Sequence, residues 1–325
     1  MLIARYIMGK TVLVTGGAGF IGSHLVDRLI DEGATHVVVI DNMFLGSEDN
    51  LAEAKGTGKL TLYKDDAEFA SSLDFIFQQH QIDIVFNCAT KALNYSFINP
   101  ASALSTNVMV VLNLLEFLRH GAYKTLCHLS TSEVYGTARY EPMDELHPRN
   151  PTTTYAAGKA AADLAVESYV NMFALDAFIV RPFNNYGPRQ NYKGLLAGVI
   201  PLTAWRILNG MSPEIHGDGL QTRDFIHVRD TVDAVIKLFS VMPPGESVNI
   251  STNNQISVNE LVTRIARELK FQGEIIRKPS RAADVIAHNA SNQKLHSLIN
   301  FTLTDFDSGL SETLSWYVNR IGFLK

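Results

Sequence analysis

Cysteine is nearly missing from this chain: there are two in 325 residues, Cys88 and Cys127. Both fall in apolar, strand-like runs, so two buried thiols in a reducing, cytoplasmic setting are expected and a disulfide framework is not. Positive charge is not in excess either. Lys and Arg number 28 against 33 Asp and Glu, a net charge of -5, which removes the electrostatic case for a nucleic-acid or anionic-membrane partner. The ten histidines show no ligand spacing, so no metal site is expected. No apolar run approaches the roughly 20 residues that span a bilayer. Met1 to Lys10 is too short and too weakly apolar to read as a secretory leader. These exclusions leave a globular chain of one large or two modest domains.

Glycine is concentrated where a strand should meet a helix. Thr11-Val12-Leu13-Val14-Thr15 is a β-branched apolar run leading into Gly16-Gly17-Ala18-Gly19-Phe20-Ile21-Gly22. Leu25, Val26, Leu29 and Ile30 follow at helical spacing, until Gly33. Strand, glycine turn and helix in that order form a dinucleotide fingerprint. Gly16, Gly19 and Gly22 let the backbone approach a pyrophosphate, whose charge the helix N-terminus attracts. The next run, His36 to Ile40, ends at Asp41, roughly 20 residues past the glycines. A carboxylate there accepts both adenosine ribose hydroxyls and repels a 2′-phosphate. Asn42 follows, with no Arg to welcome that phosphate, so NAD is expected over NADP.

Strand and helix patterns continue to alternate. Leu60 to Tyr63, Ile82 to Ala89, Thr125 to Leu129 and Ala177 to Val180 read as strands; 102–118 and 155–173 read as helices. Near-continuous apolar strands in βα repeats predict a parallel sheet covered on both faces. The fold class is therefore α/β: a Rossmann-type doubly wound parallel sheet with a smaller, mixed α/β C-terminal substrate-binding domain. Residues 8–180 form the dinucleotide-binding domain, with a returning strand near 232–252. Residues 181–325 form an interleaved cap. Active groups should gather at the carboxyl ends of the strands, where Asp41, Asp66, the Thr90 loop, Thr131 to Glu133 and Arg181 to Asn185 fall.

Thr131-Ser132-Glu133 is followed, after a Pro-containing loop, by Tyr155-Ala156-Ala157-Gly158-Lys159. Tyr and Lys at i and i+4 share a helix face. An ammonium beside a phenol lowers its pKa from about 10 toward neutrality. Such a tyrosine takes the proton of an alcohol while hydride leaves the carbon. Lys91, in the loop from Ala89 to Phe97, either places an ammonium near a substrate or snorkels to solvent. Arg223 and Arg281 are candidate anion clamps, since paired guanidinium forks suit a diphosphate.

The glycine turn, Asp41, Asp66, Asn107, Ser130 to Gly136, Tyr155/Lys159, Arg181 to Arg189 and Gly217 to Phe225 together resemble the extended short-chain dehydrogenases/reductases acting on nucleotide sugars. The pattern is nearest to the sugar-nucleotide 4,6-dehydratases. That resemblance implies bound NAD, oxidation at C4 of the sugar, and a nucleotide-sugar substrate. It implies that Thr131 bonds the C4 oxygen beside Tyr155, Lys159 holds the nicotinamide ribose and Asp66 meets the adenine. Phe20, Ile21, Asn42, Ala89 and Asn107 belong to the implied cofactor contacts, and Lys91, Asn184, Arg223 and Arg281 to the implied substrate contacts. It further implies a homodimer in which helices 102–118 and 155–172 build a four-helix bundle.

Glu133 separates the members of that family. A 4-epimerase needs no base beyond the tyrosine, whereas a dehydratase must remove the C5 proton, which the C4 ketone acidifies. Dehydratases usually carry Asp before this Glu; here Ser132 stands there, and a hydroxyl is a poor acid for a leaving hydroxyl. Ser-Glu also occurs in UDP-glucuronate decarboxylases, which need no such acid. The segment Asn150 to Lys159 is closer to the dehydratases. The expected activity is a nucleotide-sugar 4,6-dehydratase acting on UDP-GlcNAc or another UDP- or dTDP-hexose, with UDP-glucuronate decarboxylase and nucleotide-sugar 4-epimerase as alternatives.

Overall fold

The computed structural model describes residues 5–280 and 289–322. The first half alternates β1 (Thr11–Thr15), α1 (Phe20–Asp31), β2 (His36–Ile40), α2 (Ala52–Gly56), β3 (Leu60–Tyr63), α3 (Ala70–Gln79), β4 (Ile84–Asn87), α4 (Pro100–Arg119), β5 (Thr125–Leu129), α5 (Thr154–Phe173) and β6 (Ala177–Pro182). The second half holds β7 (Asn184–Tyr186), α6 (Val199–Leu208), β8 (Glu214–His216), β9 (Thr222–Arg223), β10 (Phe225–His227), α7 (Val228–Phe239), β11 (Ser247–Ile250), β12 (Ile256–Ser257), α8 (Val258–Glu268), β13 (Ile276–Lys278), α9 (Gln293–Leu298) and α10 (Phe306–Ile321).

Seven strands pair in the order β11-β6-β5-β4-β1-β2-β3, and every ladder is parallel. Alternate residues feed opposite faces. Val12 and Val14 pack with Leu25 and Leu29 of α1 and Val232 and Phe239 of α7. Leu13 packs with Leu73 of α3, Leu114 of α4 and Val166 of α5. Both faces are thus covered, which is why the strands read as unbroken apolar runs. Burying each such aliphatic side chain is worth about 1.5–3 kcal/mol. The doubly wound fold expected from the sequence is the fold observed.

The cap has its own core, in which Ile200 and Leu208 of α6, Leu261 and Ile265 of α8, and Leu314 and Tyr317 of α10 meet. Three short two-stranded ladders, β7–β10, β9–β12 and β8–β13, surround it. The return to the main sheet involves more than one strand. Helix α7 joins the core under α1, β11 adds to the sheet edge beside β6, and Leu295 of α9 closes over it.

Helix ends follow local chemistry. Asn99 caps α4 by accepting from Ser102 N at 3.1 Å, with Pro100 at the first turn, where its missing N–H costs nothing. Thr153 caps α5 by accepting from Ala156 N at 3.2 Å, and Ser96 Oγ accepts from Tyr155 N at 2.9 Å. The start of α5, and so the placement of Tyr155, is fixed by two side chains. Helix α4 corrects one expectation: at 20 residues it is long and apolar enough to cross a bilayer. Its Val110, Val111, Leu114 and Leu115 are instead buried against the sheet and α5.

Candidate active site

The chain fills β1, β2 and β3 outward in one direction, then returns to lay β4 on the other side of β1. In such sheets ligands bind outside the carboxyl ends at this switch point. A cavity of about 440 Å³ opens there. It runs from Asp41, Asn42 and Asp66 past Gly16, Gly19 and Gly22 to Thr131, Ser132, Glu133 and Tyr155, and on to Asn184 and the apolar wall of α6.

The dinucleotide end is built by close approach. Gly16 has φ +67, and a Cβ there would lie 2.8 Å from the Ala89 backbone. A Cβ on Gly22 would sit 2.2 Å from Gly16 O. Glycine at both positions lets α1 press its first turn onto the strand ends. Its N-cap is Gly19, which has no side chain to occupy the free N–H groups, so the helix start is available to a phosphate. Phe20, Ile21 and Ala89 line the same stretch. Asp41 is buried; Oδ2 accepts from Ala18 N at 2.9 Å and Oδ1 from Met43 N at 2.8 Å. Burial raises its pKa against those bonds, and its remaining lone pairs suit two ribose hydroxyls. Asn42 Nδ2 donates to Asp66 Oδ2 at 2.6 Å, fixing that carboxylate at the cavity rim. These residues fit an adenine dinucleotide.

At the chemical end, Thr131 caps the 3-10 turn Ser132–Tyr135, accepting from Glu133 N at 3.3 Å. The Thr131 and Thr90 hydroxyls both reach the Tyr155 phenol, and Glu133 lies close enough for its charge to act on it. Burial pushes the phenol up to about 12, the two hydroxyls oppose the rise, and Glu133 adds to it. Lys159 follows Tyr155 by one helical turn on α5. Lys159 is buried and donates from Nζ to Leu129 O at 2.5 Å, and desolvation lowers it to about 8. The hydroxyls lower Tyr155 here, and a cationic nicotinamide would lower it further.

Asn107 does not line the cavity but builds it: Oδ1 accepts from Lys91 N at 2.9 Å and from Thr90 Oγ1 at 3.0 Å. Lys91 is half-buried, with Nζ 4.5 Å above the Phe44 ring and 5.8 Å from the Tyr95 ring, a cation–π seat. Of the two readings of Lys91, snorkelling to solvent is therefore corrected. Among the described residues it is the one basic side chain lining the cavity. Asn184 lines it, though its Nδ2 donates to Asp224 O at 3.3 Å. Arg223 is half-buried on β9, donates from Nη1 to Thr222 O at 2.9 Å, and is not on the cavity wall. Arg281 lies outside the described residues. Phe44 was not singled out from sequence, and the Thr90 loop was placed at the strand ends without a role for its hydroxyl; a hydroxyl and an aromatic in loops carry no periodic signal.

The family model described as GDP-mannose 4,6 dehydratase matches residues 13–308. A putative UDP-glucose 4-epimerase of Methanocaldococcus jannaschii is 34% identical over 317 residues, 95% of this chain and 99% of its own. The human dTDP-D-glucose 4,6-dehydratase is 28% identical over 318 residues, 95% of this chain and 90% of its own. A dTDP-glucose 4,6-dehydratase structure from Streptomyces venezuelae, with NAD bound, superposes with a TM-score of 0.90 at 27% identity, covering 97% of this chain and 99% of that one. With the glycine turn, the Tyr155/Lys159 helix and the continuous cleft in place, the chain belongs to the NAD-dependent nucleotide-sugar epimerase/dehydratase family of extended short-chain dehydrogenases/reductases.

Proposed function

We propose that this protein is a nucleotide-sugar 4,6-dehydratase working on a hexose linked to a nucleoside diphosphate. NAD is the cofactor, and it supplies the acceptor, then the donor, of a hydride. Tyr155, held by Thr131 and Thr90, takes the proton of the C4 hydroxyl. The C4 ketone so formed acidifies C5–H, and Glu133 removes that proton. The C6 hydroxyl leaves as water, which leaves a C5–C6 double bond; return of the hydride to C6 and of a proton to C5 gives a 4-keto-6-deoxy sugar. Ser132 is 2% exposed and its hydroxyl can only relay a proton. Glu133, protonated by the C5 step, is therefore the acid that accompanies the leaving hydroxyl.

The observation that supports this reading is Glu133 itself, a carboxylate at the chemical end of the cavity, beside Tyr155. Epimerisation at C4 has no use for it. The 34% identity to a putative 4-epimerase keeps that activity as the second reading. We propose in addition a homodimer through α4 and α5 in the cytoplasm.

Mass spectrometry of the protein incubated separately with UDP-GlcNAc, UDP-glucose, dTDP-glucose, GDP-mannose and UDP-glucuronate tests the proposal. Loss of water from one of the neutral sugars is expected. Loss of carbon dioxide from the glucuronate, or a C4 epimer of unchanged mass, would replace the dehydratase. In Glu133→Gln, reduced cofactor should accumulate without loss of water; product at the parental rate would make Glu133 structural.

A further inference from the structure

Beneath the catalytic helix lies a chain of buried polar groups that the reaction above does not use. Thr15 Oγ1 donates to Asn87 Oδ1 at 2.6 Å, and Asn87 Nδ2 faces His128 Nδ1 at 3.0 Å. Because the Asn87 oxygen is taken by a hydroxyl donor, its NH₂ must point to the histidine. His128 Nδ1 is then an acceptor, and the ring proton sits on Nε2. That Nε2 is 3.6 Å from Asp163 Oδ1. Asp163 Oδ2 accepts from Arg181 Nε at 2.9 Å. Arg181 Nη1 reaches Tyr135 OH at 3.1 Å and Ser247 Oγ at 2.8 Å. Asp163 and His128 are 0% exposed and Arg181 is 2% exposed.

A buried carboxylate bonded to a guanidinium on one oxygen and left without a hydrogen bond on the other, beside a neutral imidazole, is costly to assemble, and its position makes it useful. Asp163 is four residues past Lys159 on α5, hence on the same helix face. The groups facing Lys159 come from three elements. Cys88 follows β4, and burial pushes its thiol up to about 12, so it is neutral. Leu129 O and His128 are on β5; burial drives His128 well below its usual value, so it too is uncharged. Tyr155 precedes it on α5, also protonated in the cofactor-free protein. Facing Asp163 itself are Lys159 and Tyr155 on α5, whose phenol its charge also raises, His128, Arg181 on β6 and, through Arg181, Tyr135 and the Glu167 carboxylate at 3.8 Å. Asp163 is thus the negative charge that acts on Lys159.

We infer that Asp163 is a positioning residue for Lys159: held by Arg181, its carboxylate keeps the lysine charged and directed at Leu129 O from one helical turn away. This rests only on the Tyr155/Lys159 pair performing C4 oxidation, a step that dehydratase, epimerase and decarboxylase share. It therefore survives if the dehydratase reading fails.

The test compares the parent, Asp163→Asn, Asp163→Glu and the double variant Asp163→Asn/Arg181→Gln, all folded by circular dichroism. The double variant removes both buried charges together, so no orphaned guanidinium remains to unfold it. Two quantities are read. One is the Lys159 ¹³Cε titration by NMR in protein without sugar. The other is the alkaline limb of reduced-cofactor formation, with whichever nucleotide sugar the parent turns over. In Asp163→Asn the lysine titration and the limb should both move down by about one pH unit. Asp163→Glu should restore most of the shift, and the double variant should lie between Asp163→Asn and the parent. Variants that lose activity uniformly, with titration and limb at the parental pH, would overturn the inference. If the single variant does not fold, the double variant alone decides, by a limb below the parent or one coincident with it.

Discussion

At the scale of single residues, the site divides proton work from charge work. Tyr155 meets the Thr131 and Thr90 hydroxyls, while Lys159 is turned to Leu129 O. Tyr155→Phe keeps the ring and its packing but removes the base. Reduction of bound cofactor by substrate should fall by about 10²–10⁴-fold, measured by absorbance in a single turnover; a near-parental rate would move the base elsewhere. The pH dependence follows from Lys159, whose pKa is lowered from 10.5 to about 8. Its ammonium is lost as pH rises through about 8, so activity should decline on that alkaline side. Stability moves the other way. Between about 8 and 10.5 the unfolded lysine binds more proton than the folded one, so this group's contribution to stability rises with pH across that window. A melting series in parallel with the rates would show the two trends diverge. The residue types at this site were legible in the sequence because Tyr-x-x-x-Lys, Glu133 and Asp41 obey local spacing. What Lys159 bonds to was not, since Leu129 O is 30 positions away. Asp163, by contrast, was open to reading at the same i+4 spacing as the pair itself.

At the scale of elements, the cavity depends on two devices that place backbone rather than side chains. One is the glycine turn. Ala at Gly22 would bring a Cβ within 2.2 Å of Gly16 O, which is backbone and cannot swing aside. Gly22→Ala should lower stability by about 1–3 kcal/mol and displace the first turn of α1, so that NAD binding weakens, read by calorimetry. The other is Asn107, whose Oδ1 holds Lys91 N and Thr90 Oγ1. In Asn107→Ala a backbone N–H loses its partner, at about 1–3 kcal/mol, and Thr90 loses its anchor beside Tyr155. kcat should fall more than NAD affinity; an unchanged kcat would mean the loop is held by its other contacts, such as Asn94 Nδ2 to Ala197 O at 3.1 Å. The strands and long helices were legible because their apolar period is set by burial. The loop from Ala89 to Phe97 was not. Its form depends on Asn107, Ala197 and Ser96 bonds to distant elements, and no period in its sequence encodes them.

At the scale of the whole molecule, two bodies share one sheet edge: the cap has its own core, yet α7, β11 and α9 return to the main sheet. Cap and cofactor half therefore meet along a continuous chain of covalent and packed contacts, and the cavity lies between them. The homodimer proposed above rests on α4 and α5, which pack together. Helix α4 is too apolar for one buried face to account for it. Leu104 and Met109 on α4 are 39% and 40% exposed, and Leu164 and Met172 on α5 are 51% and 70% exposed. Both helices thus turn apolar side chains to the core and to the outside. A second copy placing its own α4 and α5 against these would bury them in a four-helix bundle, and a stable contact of that kind covers about 1,600 Å² in total. Met109→Glu with Leu164→Glu should halve the mass seen by sedimentation equilibrium while leaving the circular dichroism of the fold intact, because both positions point away from the core. Tyr155 heads α5, capped by Ser96 and Thr153, so loss of the bundle should also loosen that start and reduce turnover. A folded double variant that sediments as the parent does would place the contact between copies on another face, and the exposed apolar stripe of α4 and α5 would then need a different partner.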